Sequence, residues 1–224
     1  VQISARGGSV QRLSYDTLDR LITVVDDFGH ALIFTYRFDD RLASMEVPGG
    51  GQFIYQYDGI GNLVAVTGPG NVSPVTRRYF YENAQFPNAL TGIEDENGKR
   101  FATWKYDGQG RAYYSEHAGG VDRTTLVFGT DGSTTVIDGL DAARTIRFNT
   151  ILGAALYAGQ TQPAGAGCAA ASSSRTFDEI GNVKSSTDFN GVVTTYDYES
   201  TRRLVTVRTE AFGRPEQRTT TTEW

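Results

Sequence analysis

Apolar and polar positions alternate along most of this chain. Leu32, Phe34, Tyr36 and Phe38 alternate with Ile33, Thr35 and Arg37, and Phe53, Tyr55 and Tyr57 with Ile54 and Gln56. Ala102, Trp104 and Tyr106 alternate with Thr103 and Lys105, and Thr194, Tyr196 and Tyr198 with Thr195 and Asp197. Successive side chains of a strand point to opposite faces, so this period predicts strands with an aromatic row on one face and a Thr/Arg/Gln-rich row on the other. Shorter apolar runs follow them, such as residues 20–25, 62–66 and 203–207. Turn punctuation separates the runs: residues 27–29, 48–51, 97–98, 119–120, 138–139 and 190–191 are rich in Gly, Asn and Asp. No stretch requires a helix; Ile151 to Ala158 fits either a strand or a short helix.

The pattern repeats. An aromatic followed by a small or acidic residue recurs at Tyr15-Asp16, Phe38-Asp39, Tyr57-Asp58, Tyr81-Glu82, Tyr106-Asp107, Phe128-Gly129, Phe148-Asn149, Phe177-Asp178 and Tyr198-Glu199, about 23 residues apart. The fullest copies run aromatic, Asp, two spacers, Gly, Arg or Asn, apolar: Tyr57-Asp58 with Gly61, Tyr106-Asp107 with Gly110 and Arg111, and Phe177-Asp178 with Gly181. Tyr15-Asp16 has Asp19 where the others have Gly, which predicts a positive φ there, a conformation Gly adopts freely and Asp tolerates. The repeated Asp reads as a turn former that bonds backbone N–H groups ahead of it. Tyr15, Asp16, Tyr57, Asp58, Gly61, Tyr81, Tyr106, Asp107, Gly110, Arg111, Phe177, Asp178, Gly181 and Tyr198 are thus read as structural residues of the repeat.

Two antiparallel strands per copy predict on the order of eighteen strands in series. At about 4.8 Å per strand the row measures roughly 85 Å. Open sheets of more than about 10 strands curl or split, so the expected fold is all-β, a long curled or spiral sheet of tandem two-strand repeats. Residues 1–224 read as one such segment of a longer protein, with an Ala/Gly/Ser loop inserted near 158–174. Length alone also allows a substantial core.

Composition narrows the class. The 26 Gly come with only 6 Pro and no G-X-Y period, which excludes collagen, and 12% aromatics excludes a solvating disordered chain. A net charge of −5 argues against nucleic acid as a partner, and no apolar run approaches the length of a membrane span. Candidate chemistry is sparse. Cys168 lies among small residues without a neighbouring His, and reads as an inert thiol. His30 and His117 each sit beside a turn without partners at metal spacing. Glu94-Asp-Glu-Asn97 lacks the spacing of a calcium loop. No catalytic, metal or cofactor residue is assigned.

Tyr-Asp-x-x-Gly-Arg/Asn-apolar at this spacing resembles the RHS/YD repeat of bacterial Rhs proteins, toxin-complex C subunits and, more remotely, teneurins. The resemblance covers the chain from about Tyr15 to Trp224, with degenerate copies at Phe128 and Phe148. It implies a spiral β-shell enclosing a C-terminal toxin in an exported bacterial protein. The implied partners are the rest of the shell and the enclosed toxin, with secretion-system components outside. The Asp-Pro signature of the family's self-cleaving segment does not occur here. Two other readings stand beside it: a carbohydrate- or surface-binding module using the aromatic rows, and a glycan-cleaving enzyme whose carboxylates meet only in space.

Overall fold

The computed structural model describes residues 1–165 and 167–224. Among them are twenty strands and one 3₁₀ turn, Ala118–Gly120. The chain divides into two compact units, Val1–Gly119 and Gly120–Trp224.

The first unit holds eleven strands: β1 (Gln2–Ser4), β2 (Val10–Tyr15), β3 (Leu21–Val25), β4 (Ala31–Tyr36), β5 (Leu42–Val47), β6 (Gly51–Tyr57), β7 (Leu63–Gly68), β8 (Val75–Phe80), β9 (Gly92–Glu94), β10 (Arg100–Tyr106) and β11 (Ala112–His117). Each pairs antiparallel with the next in sequence. The second unit holds nine: β12 (Val121–Phe128), β13 (Thr134–Ile137), β14 (Ala143–Ile151), β15 (Ala154–Gln162), β16 (Ala171–Phe177), β17 (Val183–Thr187), β18 (Val193–Tyr198), β19 (Val205–Glu210) and β20 (Arg218–Thr221). They form the same sequential ladder.

The alternation appears as rows of cross-strand neighbours. Phe34, Met45 and Phe53 lie side by side on one face of the first unit. On the other, Thr35, Ser44, Ile54, Thr67 and Thr76 form a row, with hydroxyl contacts of 2.7 Å between Thr35 and Ser44 and 2.9 Å between Thr67 and Thr76. In the second unit Thr176, Ser185, Thr195, Thr209 and Thr219 align in the same way. Threonine suits this place because its branched Cβ fits the pleat while its hydroxyl bonds the neighbour.

The repeat hairpins share a bulge. Tyr15 faces Leu21 while Ser14 faces Thr23, leaving Ile22 as an extra residue. Ala43, Val64, Tyr113, Lys184 and Thr206 are the corresponding extras after the later turns. A bulge bends its strand and increases the local twist, so each repeat adds the same local deformation.

The structure chooses between the two readings left open at one stretch and departs from the sequence reading at others. Ile151 to Ala158 is strand: Leu152-Gly153 makes a tight turn between β14 and β15. The expected loop near 158–174 is largely absorbed by β15 and β16, leaving residues 163–170, of which Ala166 lies outside the described residues. The copy placed at Phe38-Asp39 sits two residues earlier. Tyr36 takes the aromatic position opposite Leu42, and Phe38 stands 96% exposed at the turn tip. Tyr15, Tyr36 and Tyr57 are then 21 residues apart. Phe148 lies inside β14, facing Tyr157, and starts no turn.

Nor is there a substantial core. Among the described residues the buried side chains are small ones, such as Ala65, Ala102, Ala211, Ser44, Thr91 and Thr209, and no large side chain is fully buried. The exposed area is 14795 Å², against roughly 10,000 Å² for a globular protein of this mass. Both faces of a single-layer sheet remain partly open to solvent, so stability rests on cross-strand pairs and turns.

Candidate functional site

The recurring unit of this molecule is a five-residue turn. Asp58 accepts the N–H groups of Ile60 and Asn62 on Oδ1 at 3.0 and 2.9 Å, and the Asn62 side-chain amide on Oδ2 at 3.0 Å. The backbone closes with Asp58 N–H donating to Asn62 O and Gly61 N–H to Asp58 O. Gly61 adopts φ of 95°, the left-handed residue that finishes a bulged hairpin loop. Asp16, Asp107 and Asp178 make the same turn, with Asp19 (φ 59°), Gly110 and Gly181 in the left-handed position.

The return turns on the opposite side use identical chemistry. Asp26, Asp95, Asp138 and Asp188 each accept the N–H groups two and four residues ahead. Sequence reading marked these places by Gly, Asn and Asp, and named the bonding acid itself only at Asp138. The signal was present: Asp, two spacers, then Gly or Asp occurs at all eight turns.

The aromatic of each copy has a second function. Tyr36 donates its hydroxyl to the carbonyl of Leu21 at 2.8 Å, Tyr57 to Leu42 at 3.0 Å, Tyr81 to Leu63 at 3.1 Å, Tyr106 to Leu90 at 2.8 Å and Tyr198 to Val183 at 2.9 Å. Except for Leu90, these acceptors are the first residues of the strand after a preceding turn, so each tyrosine fastens its repeat to the one before. Trp224 makes an equivalent reach with its indole N–H to Val205 at 2.8 Å. Phe177 fills the aromatic position opposite Val183 but has no hydroxyl to donate, and Tyr15, in the first copy, is 42% exposed. Tyr57→Phe is expected to cost about 1 kcal/mol, the net worth of one such bond, leaving the fold intact. Thermal or denaturant unfolding of the variant measures it.

Arginines close the rows. Arg20 bonds Asp16 Oδ2 at 2.8 Å, reaches Asp40 in the next turn at 2.6 Å and lies 4.8 Å from the centre of the Tyr36 ring. Arg37 and Arg41 lie over Tyr57, Arg100 over Phe80 and Arg175 over Tyr157. The flat guanidinium stacks while keeping its donors for carboxylates, which gives the Arg-rich, Lys-poor composition a structural use. Arg111 clasps Asp107 at 2.8 Å in the same manner.

These contacts set the charge state of the turns. The Arg20 N–H, outweighing partial desolvation, holds the Asp16 carboxyl below its usual range. His30 does so for Asp26, and the Lys99 N–H for Asp95. Desolvation pushes Asp58, Asp107 and Asp178 upward, yet their N–H donors bring the net shift down. Burial raises the hydroxyls of Tyr57, Tyr81 and Tyr198. Each of these six carboxyls accepts hydrogen bonds within its own turn.

The Tyr81 copy is different. Tyr81 reaches back normally, but Glu82 begins an excursion through residues 82–91 before β9. Glu82 receives Arg100 on both oxygens at 2.9 and 2.8 Å and Thr91 at 3.0 Å, and Arg100 also bonds the Thr91 carbonyl. Elsewhere, His30 bonds Asp26, His117 stacks on Phe101 at 4.9 Å, and Cys168 is an exposed free thiol. Among the described residues no three His, Cys, Asp or Glu side chains are placed to hold a metal ion.

Residues 177–215 match the family model of the RHS repeat. No curated protein matches the chain. Among solved structures, TcdB2-TccC3 is similar with a TM-score of 0.56 at 12% identity, over 93% of this chain and 13% of that one. TcdB2-TccC3-Cdc42 gives 0.55 at 13% identity, over 93% and 13%. A Tc holotoxin pore from Photorhabdus luminescens gives 0.53 at 11% identity, over 90% and 14%. At these identities the likeness is one of fold. The chain spans 13–14% of the length of these structures.

Proposed function

We propose that this chain, with an RHS repeat at residues 177–215, is a non-catalytic wall segment of a larger bacterial Rhs-type shell that encloses a toxin domain and helps deliver it. The sameness of the repeat carries this reading. Turn after turn, the carboxylates are spent on backbone N–H groups and the tyrosines on the preceding repeat. Such a unit extends a sheet; it does not gather reactive groups at one point. The fold shared with TcdB2-TccC3 supports the toxin connection.

In this reading the partners are the remainder of the shell and an intramolecular cargo, with secretion-system components acting on the exported whole. The natural full-length polypeptide carrying this segment tests it by limited proteolysis. A cargo domain inside the shell should resist a protease that digests the same domain expressed alone. Equal digestion rates inside and outside would overturn the proposal.

A further inference from the structure

We propose that Asn190 is a site of spontaneous deamidation and that Arg214 assists the reaction. Asn-Gly pairs lie in two of the return turns, at Asn97-Gly98 and Asn190-Gly191, and both pairs are exposed. A glycine after asparagine has no side chain to obstruct attack of its own amide nitrogen on the asparagine side chain. The two turns are built alike. Gly98 N–H donates to Asp95 O and Gly191 N–H to Asp188 O, each at 3.0 Å, and both glycines have φ of 69°. Their surroundings differ.

The turn at 188–192 receives an arginine from the connection between β19 and β20, residues 211–217. That connection is fixed at its start, where Ala211 is buried and Phe212 N–H donates to Val193 O at 2.8 Å. Arg214 Nη2 then donates to Gly191 O at 2.7 Å and to Asn190 O at 3.4 Å. The Asn190 oxygen belongs to the same peptide group as the Gly191 nitrogen. When that nitrogen loses its proton, negative charge spreads onto that oxygen, and a guanidinium held there stabilises it. Among the described residues the Asn190 side chain has no hydrogen-bond partner, so nothing holds it away from the nitrogen. At the other turn a hydrogen bond ties the Asn97 side chain to the Asp95 carboxylate, and among the described residues no cation bonds the Asn97 carbonyl. The reaction balances within the chain and water. Hydroxide takes the Gly191 N–H proton, the nitrogen bonds Asn190 Cγ, the Cγ–Nδ2 bond breaks, and Nδ2 takes a proton from water and leaves as ammonia. Water then opens the succinimide to aspartate, or to isoaspartate with an extra carbon in the main chain. Both products place a carboxylate beside Arg214. Isoaspartate also displaces the N–H groups of Gly191 and Val192 from Asp188, which holds the turn through them.

The experiment ages the 224-residue chain at mildly alkaline pH, folded and in urea, and follows Asn190 and Asn97 by peptide mass spectrometry, with isoaspartate counted by enzymatic methylation. Dividing each folded rate by its rate in urea removes the effect of the flanking sequence. The ratio for Asn190 is expected to exceed that for Asn97 several-fold. Arg214→Gln should lower the Asn190 ratio several-fold and leave Asn97 unchanged. Arg214→Lys keeps the cation and should stay nearer the natural chain than the glutamine variant. The proposal is overturned if Asn190 reacts no faster than Asn97 on this scale, or if Arg214→Gln leaves the Asn190 rate unchanged or raises it. Lysine behaving like glutamine would also overturn it, because the arginine would then act through loop contacts and not through charge.

Discussion

Gly159→Ala is expected to lower the melting temperature of the second unit by roughly 8–24 °C. Gly159 sits in β15 at φ of 138°, beside the bulge residue Ala158 and directly opposite Ser174 of β16. A Cβ there would lie 2.2 Å from the Ser173 carbonyl oxygen and 2.8 Å from the Ser174 Cα, both backbone atoms of the neighbouring strand. Two costs combine. A non-Gly residue in a Gly-only region of backbone space costs of order 1–3 kcal/mol, and forcing atoms into a packed contact costs about 1–3 more. Gly132 provides the control, because it also has positive φ (80°) but nothing within 4 Å of a built Cβ. Gly132→Ala should cost about 1 kcal/mol, the backbone term alone. Circular dichroism melts of the two variants, with hydrogen exchange to localise the effect between β15 and β16, separate the contributions. Equal shifts in both would show that the strand contact does not matter.

Acid should unfold the protein from its turns. Asp16, Asp26, Asp39, Asp58, Asp95, Asp107 and Asp178 all have folded-state affinities for protons below those of ordinary carboxyls. A depressed carboxyl favours the folded state while it is ionised. Its contribution is complete above the unfolded value, near pH 3.9, and is lost as pH falls through the folded one. The arginines stay charged throughout, so they leave the sign unchanged. The melting temperature is therefore expected to hold from pH 8 to about pH 5, then fall steeply below about pH 4. Because the turn carboxylates accept short N–H bonds, salt should shift this limb little. Melts in a pH series at low and high salt check it, and a flat profile down to about pH 2 would contradict the role given to these acids.

Much of the fold was legible because alternation and turn chemistry are local. Phe53, Tyr55 and Tyr57 reveal a strand by spacing alone, and Asp58 with Gly61 reveals the turn that ends it. The misplacement of one copy onto Phe38 shows the limit. Phe38-Asp39 has the right composition, yet Asp40 carries the positive φ of 62°, so the turn starts at Arg37 and the aromatic anchor is Tyr36. Composition identifies candidates, while backbone hydrogen bonds choose the register. The reach of Tyr57 to Leu42 spans 15 residues and depends on sheet geometry, so no local pattern announces it. The lack of large buried side chains among the described residues was equally hidden, because the aromatic rows alternate just as those of a sandwich do.

In both units strands touch mainly their immediate neighbours in sequence, with no second layer to bridge distant ones. Force on a chain end would therefore load one ladder of hydrogen bonds at a time and peel the sheet like a zip. Each repeat, about 23 residues long, yields roughly 80 Å of extended chain as it lets go. Nothing in this arrangement concentrates resistance at one step. A motor or a pore pulling on such a sheet would meet a long series of small, similar barriers, and the work of dismantling it would grow in proportion to its length.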